Sequence, residues 1–227
     1  MPNYVKNRME IIAPSKERLE EILIGIQSVN EENGEILPID FNCIDPMPEE
    51  LQTNFSLGEE MVARYLVRDL LHPISKRWSI DEWNEFTDDQ KERCMPGARK
   101  MIENILKYGH PYWYDWAIGH WGTKCNATGS SREDVNVISF QTAWSFPDKV
   151  LRTLSEKFAD TTFKVTFADE DIGCNCGIAE IKNGEVSICR PTACSVEAYE
   201  LAFSLWSNMK EDYVLTENGY EPKEETK

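Results

Sequence analysis

The chain has 227 residues, of which 41% are hydrophobic and 28% are charged, as in an ordinary globular protein. Its 40 acidic residues outnumber its 24 basic ones and give a net charge of −16. This excess argues against a nonspecific binder of nucleic acid or of anionic membranes, because attraction to phosphate requires a basic surface. The first residues lack a secretory apolar run, and no stretch is long and apolar enough to span a membrane. We therefore expect a cytoplasmic protein with reduced cysteines.

The first part of the chain predicts a β-α-β unit. Residues 4–12 alternate between apolar and polar side chains, which predicts a half-buried strand. A helix follows, with Ser15 as its N-cap and with apolar residues at helical spacing. Residues 36–41 are predicted to form a second strand, so the unit spans 4–42.

Residues 57–108 are predicted to be a helical insertion. Two short helices begin at capping boxes, in which Ser or Thr precedes Glu or Gln by three positions: Ser79 with Glu82, and Thr87 with Gln90. A further helix is predicted to start at Pro96 and to end at Gly109.

The last part of the chain, residues 112–208, predicts a second β-α-β unit. A strand is predicted at 118–126 and a polar loop at 127–133. The β-α-β unit itself spans 135–168, with Trp144 on the same strand face as Phe140. A hairpin that turns at Asn183-Gly184 and a helix at 195–208 follow it. Together the two units predict an α+β fold, a ferredoxin-like βαββαβ antiparallel sheet with the helical insertion and an extra C-terminal hairpin and helix. We expect one domain over 1–215 and a disordered acidic tail over 216–227.

Several segments resemble one family. Five segments are similar to the YubB-type (Api-like) ferredoxin-like proteins. They are the opening Met1-Pro2-Asn3 with Asn7-Arg8, the Pro46–Leu51 segment, Trp116 with Trp121-Gly122-Thr123-Lys124, the acidic Ala168–Gly173 run and the Ala198–Phe203 run. That family is carried by bacteriophages and plasmids. The resemblance implies a ferredoxin-like C-terminal part and an origin in a mobile element. It assigns no activity and no site residue.

The aromatic stretch at 112–126 supplies the candidate site. We predict that Trp113, Trp116 and Trp121 contribute to an interaction surface, since large aromatic side chains dominate the interfaces they join. His120 and Lys124 are four residues apart on the predicted strand, so they would share a face. With Asp115 they are candidate ligand-binding or acid–base residues, or they simply decorate the exposed face of a core strand.

Two clusters are candidate metal ligands, and each has a plainer interpretation. Asp169, Glu170 and Asp171 suit Mg²⁺, but a solvated turn explains them as well. Four cysteines suit zinc, although their spacing departs from zinc knuckles and free thiols are an equal explanation: Cys174, Cys176, Cys189 and Cys194. We predict no cofactor and no metal.

Three functions follow as hypotheses. The first is a non-enzymatic acidic interaction protein of a phage or related element that binds a host protein, with a counter-defence role as one option. The second is a small-ligand binder or enzyme with a site around Asp115, His120 and Lys124. The third is a single-strand nucleic-acid-associated protein that uses the aromatic stretch, which the acidic charge opposes. The sequence contains no known nucleophile, phosphate-loop or dinucleotide-binding motif, and it does not indicate an oligomeric state.

Overall fold

The computed structural model describes residues 3–67 and 86–223, and it divides the chain into two compact units. The first contains Met1–Pro46 and Ala117–Lys227, and the second contains Met47–Trp116. The predicted helical insertion lies within the second unit. The predicted capping box at Ser79 lies outside the described residues.

A six-stranded antiparallel sheet forms the first unit. Its strands are β1 (Tyr4–Ile12), β4 (Thr128–Asp134), β5 (Val137–Ala143), β6 (Thr162–Asp169), β7 (Cys176–Lys182) and β8 (Glu185–Cys189), in the spatial order β4-β5-β1-β6-β7-β8. The first four of these strands have the neighbour order of a βαββαβ ferredoxin-like sheet. The hairpin β7–β8 extends the sheet beyond β6, and its turn at Asn183-Gly184 confirms the prediction.

Helices α1 (Lys16–Ile26) and α6 (Asp148–Lys157) follow β1 and β5 in the chain. As predicted, Ser15 caps α1 by accepting a hydrogen bond from the backbone N–H of Arg18. The apolar residues on one side of β1 and β6 are fully buried, as alternation requires: Val5, Met9, Ile11, Phe163, Val165 and Phe167. Phe146 stacks on Phe167 with ring centroids 4.4 Å apart.

The helix α7 (Val196–Leu205) packs on the opposite sheet face. It buries Ala198, Ala202 and Phe203 in a cluster with Ala168 and Cys176. Ala168 follows Phe167 on β6 and so points away from it. A hairpin of β9 (Tyr213–Thr216) and β10 (Gly219–Pro222) follows, so residues 216–222 are ordered where the sequence predicted a disordered tail.

The prediction of residues 36–41 as the second strand of the sheet is wrong, and so is the prediction of a loop at 127–133. Residues Ile36–Leu37 (β3) pair only with Ser28–Val29 (β2) in a separate ribbon, and Phe41–Ile44 forms the short helix α2. The second strand of the ferredoxin-like unit is instead β4, which was predicted to be a polar loop. β4 is an edge strand with mostly exposed side chains, so no apolar alternation marks it.

The second unit is helical within its described residues. Helix α3 (Leu57–Leu66) packs against α4 (Asp88–Tyr108) through Val62, Ala63, Ala98 and Met101. The capping box of Thr87 with Gln90 is confirmed, and so is the end of the helix at Gly109. Pro96 lies inside α4 and starts no new helix, which corrects the prediction.

Candidate functional site

The aromatic stretch is helical where a strand was predicted. Trp113–His120 forms helix α5, and residues 121–125 form turns. The prediction of a strand at 118–126, and with it the reason for placing His120 and Lys124 on one face, is therefore wrong. Aromatic enrichment favours strands in general, but the tertiary packing of Trp116 and Ala117, both buried, decides for a helix here.

His120 ends α5 and contacts a carboxylate of the same unit. Its Nδ1 lies 3.1 Å from Asp45 Oδ2, and the two side chains are 39% and 25% exposed. The indole of Trp121 donates a hydrogen bond of 2.9 Å to the backbone carbonyl of Asp45. A carboxylate at Nδ1 holds an imidazole ring in one orientation, which is the geometry that acid–base pairs use.

Lys124 has a different partner from His120. Its Nζ lies 4.7 Å from the centroid of the Trp144 ring, a cation–π contact on the surface. Asp115 lies on α5, in the part of the helix that belongs to the second unit. Within its own unit, Asp115 Oδ2 is buried with no hydrogen-bond partner among the described residues, and burial raises the pKa of its carboxyl.

The three predicted interaction tryptophans have separate surroundings. Trp116 and Trp121 are only 3% exposed, so both belong to the core of their units. Trp121 makes an edge contact with Phe41 at 5.8 Å. Trp113 is half-buried, and its indole donates a 2.8 Å hydrogen bond to Asn54 Oδ1.

Trp144, which was predicted to share a strand face with Phe140, is 46% exposed. It follows the last residue of β5 and has φ of 71°, in the left-handed region that bulky residues rarely adopt. We call Lys124 and Trp144 together the Lys124–Trp144 surface. The alternation of Ile138, Phe140 and Thr142 predicted that the strand includes residue 144, but the strand ends one residue earlier.

Hydrogen bonds fix the backbone on both sides of Trp144. Its N–H donates to the Asn3 carbonyl at 2.8 Å, the Thr123 hydroxyl donates to the Ala143 carbonyl at 2.8 Å, and the Ser145 hydroxyl donates to the Gly122 carbonyl at 2.7 Å. Gly122 has φ of 80°, and a Cβ there would lie 2.6 Å from Asp148 Oδ1. The Trp121–Lys124 motif is thus the turn that supports this surface.

The acidic run near residue 170 organises a turn. Asp169 is 6% exposed, and its carboxylate accepts hydrogen bonds from the Asp171 N–H at 2.9 Å and from the Asn175 side chain at 3.2 Å. Glu170 accepts from the N–H of Tyr4. These contacts support the interpretation of the run as a turn.

The four C-terminal cysteines do not converge. Cys189 is exposed and pairs in register with Ile178, while Cys176 is buried beneath α7. Burial raises the pKa of Cys174, and the neighbouring Asp171 and Cys194 add to the shift. Among residues 3–67 and 86–223, no three Cys, His, Asp or Glu side chains are grouped to hold a metal ion.

The order of the strands in the sheet, with α1 following β1 and α6 following β5, defines a ferredoxin-like α+β protein. Comparison with known proteins narrows this class, since residues 121–206 match the family model described as the ferredoxin-like domain in Api92-like protein. This match of residues 121–206 supports the resemblance to an Api-like ferredoxin-like family that was found in the sequence. The match covers β4 to α7 and includes the Trp121–Lys124 turn, Trp144 and the four cysteines.

One solved structure is similar, the crystal structure of a protein api92 from Yersinia pseudotuberculosis. It is 11% identical, with 84% of this chain and 99% of that chain covered and a TM-score of 0.33. No curated protein matches the chain. In the described part of the chain, every helix is too short or too polar to cross a bilayer.

Proposed function

We propose that this chain is a non-enzymatic acidic interaction protein of a phage or other mobile element, and that it binds a host protein in the bacterial cytoplasm through the Lys124–Trp144 surface. One observation carries the proposal: Trp144 is held exposed in a left-handed backbone conformation. A counter-defence role is compatible with such an origin.

The energetics favour a binding role for Trp144. A non-glycine residue in a sparsely populated backbone region costs about 1–3 kcal/mol, and such strain concentrates at functional sites. A half-exposed aromatic ring contributes less to folding than a buried one, and tryptophan is among the residues that dominate binding energy at protein interfaces. Lys124 lies against the ring and adds a cation that a partner's acidic or carbonyl group can contact.

The net charge of the chain indicates the charge of the partner's surface around the Lys124–Trp144 contact. A net charge of −16 attracts a basic partner and raises the association rate at low salt. The partner we propose therefore offers a pocket for the indole ring within a basic surface.

The test is affinity purification from host lysate at low and at high salt, followed by mass spectrometry. The tagged chain is compared with Trp144→Gly, which removes the ring and suits the left-handed backbone. Ile178→Ala is the matched control, because Ile178 is similarly exposed at 47% on a different surface. We expect one stoichiometric protein with the parent chain and with Ile178→Ala, weakened by salt and absent with Trp144→Gly. Equal recovery with all three chains, or no partner at either salt, would contradict the proposal.

A second candidate function rests on the contact between His120 and Asp45. A small-ligand binder or enzyme would use this pair for proton transfer or anion binding, with Lys124 or Asp115 as further candidates. Thermal-shift screening of small anionic metabolites tests it: a stabilising ligand whose effect disappears in His120→Ala and in Lys124→Ala supports this function. A ligand effect that survives both substitutions would rule out the predicted site.

A further inference from the structure

Two cysteines from distant segments meet at one end of the sheet. Cys174 lies in the loop between β6 and β7, and Cys194 directly precedes Ser195, the N-cap of α7. The N–H of Cys194 donates a 2.9 Å hydrogen bond to the Gly173 carbonyl, which brings the two backbones together. The Cys194 side chain is near enough to contribute to the raised pKa of Cys174, and Cys194 is exposed whereas Cys174 is half-buried.

We propose that Cys174 and Cys194 are a thiol–disulfide exchange site that reacts with a low-molecular-weight disulfide of the glutathione type. In the first step the Cys194 thiolate attacks one sulfur of the oxidant, which forms a mixed disulfide and releases one thiolate. In the second step the Cys174 sulfur attacks Cys194 Sγ and displaces the second small thiolate, which takes up the proton that Cys174 loses. The protein gains one disulfide, and one oxidant molecule is reduced to two thiols.

The exposure of the two thiols decides which one attacks the oxidant and which one closes the disulfide. Cys194 is exposed and reachable by the oxidant, whereas Cys174 is half-buried and can attack only a sulfur already beside it. The backbone of Cys194 has φ of 60°, a conformation fixed by its hydrogen bond to Gly173. The other cysteines lack this arrangement: Cys176 Sγ faces the Ala198 carbonyl at 3.7 Å, and Cys189 is placed across from Ile178.

The surroundings of Cys174 predict how ring closure depends on pH. The titratable groups that act on it or share its environment are Asp171, Cys176, Cys194, Tyr199 and Tyr213. Burial, together with Asp171, raises the pKa of Cys174, so its thiolate is scarce at neutral pH. The second step should therefore accelerate as pH rises from neutral to mildly alkaline, and the mixed disulfide at Cys194 should accumulate at lower pH.

The experiment treats the reduced full-length chain with oxidised glutathione and quenches the reaction with acid. Intact mass and non-reducing peptide mapping then identify the products. We expect the Cys174–Cys194 cross-linked peptide in the parent chain, with ring closure faster at higher pH. Cys174→Ser should instead stop at a glutathione adduct on Cys194, and Cys194→Ser should form no cross-link.

Cys189→Ser is the matched control, because Cys189 is also exposed but has no thiol partner in this contact. It should cross-link as the parent chain does. Glutathione adducts on Cys194 of the parent chain that persist at mildly alkaline pH without ring closure, or a cross-link that involves Cys176 or Cys189 instead, would overturn the proposal. Since the reaction is read on the native chain before any substitution, misfolding of a variant does not affect that result.

Discussion

Lys124 Nζ lies 4.7 Å from the ring centroid of Trp144. The backbone of Trp144 has a φ of 71°, which bulky residues do not favour. Strain and exposure thus coincide at one residue. Because the flanking hydrogen bonds of Thr123 and Ser145 hold this conformation, the strain belongs to the folded state and can be measured by substitution.

Comparing glycine with alanine at position 144 measures that strain. Both substitutions remove the ring, but only glycine adopts a left-handed conformation without cost. We expect Trp144→Gly to be about 1 kcal/mol more stable than Trp144→Ala in urea unfolding. Val135, which is exposed and lies outside the positive-φ residues, is the control and should show the usual opposite order. Alanine more stable than glycine at both positions would show that Trp144 is not strained.

A close approach between strands gives a second prediction. A Cβ on Gly177 would lie 2.8 Å from the backbone carbonyl oxygen of Cys189 and 2.9 Å from the Phe167 ring. Since the sheet backbone cannot yield cheaply, Gly177→Ala should destabilise the protein by about 1–3 kcal/mol in urea unfolding. Gly25→Ala in α1 is the control, because its Cβ would meet only Phe158 at 3.8 Å, an ordinary contact. Equal stability of the two variants would contradict the structure at β7–β8.

The extent to which sequence predicts this fold depends on burial. β1, β6 and α6 each bury one apolar side, so their periodicity was readable, and the β7–β8 hairpin was marked by Asn183-Gly184. β4 was missed because an edge strand needs no buried alternation. The strand predicted at 118–126 is wrong because buried aromatic residues do not distinguish a strand from a helix: the buried Trp116 lies on α5, and the buried Trp121 lies in the turn that follows it.

The candidate site was predicted less well than the fold. His120 and Lys124 were grouped by their spacing on a predicted strand that is helix and turn in the structure, and Asp115 was added because it is near in sequence, so the trio remains a hypothesis. The contacts that matter join distant parts of the chain: His120 with Asp45, and Lys124 with Trp144. No local pattern encodes such pairs, because the first depends on how the end of α5 meets Asp45, and the second on how the 121–125 turn meets the end of β5.

The ion pair of Glu50 and Lys107 in the helical unit gives a pH prediction. A 2.9 Å hydrogen bond from Lys107 lowers the pKa of Glu50 to about 2, from an ordinary value of 4.5. A lowered carboxyl pKa in the folded state means that the unfolded chain binds more protons between these values. The stabilisation is therefore complete above pH 4.5 and is lost as pH falls toward 2.

The variant Glu50→Gln isolates this contribution. Its stability difference from the parent chain should shrink between pH 5 and pH 2 in low salt, and it should be small throughout because both groups are exposed and screened. Glu180→Gln is the control, as its 4.0 Å contact with Lys164 makes a weaker pair. A difference that grows on acidification would show that Glu50 is not paired as described.

Single-stranded nucleic acid gives the sharpest test between the interaction hypotheses. The Lys124–Trp144 surface combines an aromatic ring with a cation, which is also the chemistry that stacks bases and contacts phosphates. The net charge of −16 opposes such a ligand. We expect flat fluorescence-anisotropy curves with labelled single-stranded DNA and RNA, even at low salt. Binding that weakens with salt and disappears in both Trp144→Gly and Lys124→Ala would replace the host-protein proposal with nucleic-acid recognition at the same surface. Binding that survives both substitutions would locate the contact elsewhere and would equally contradict the expected absence of nucleic-acid binding.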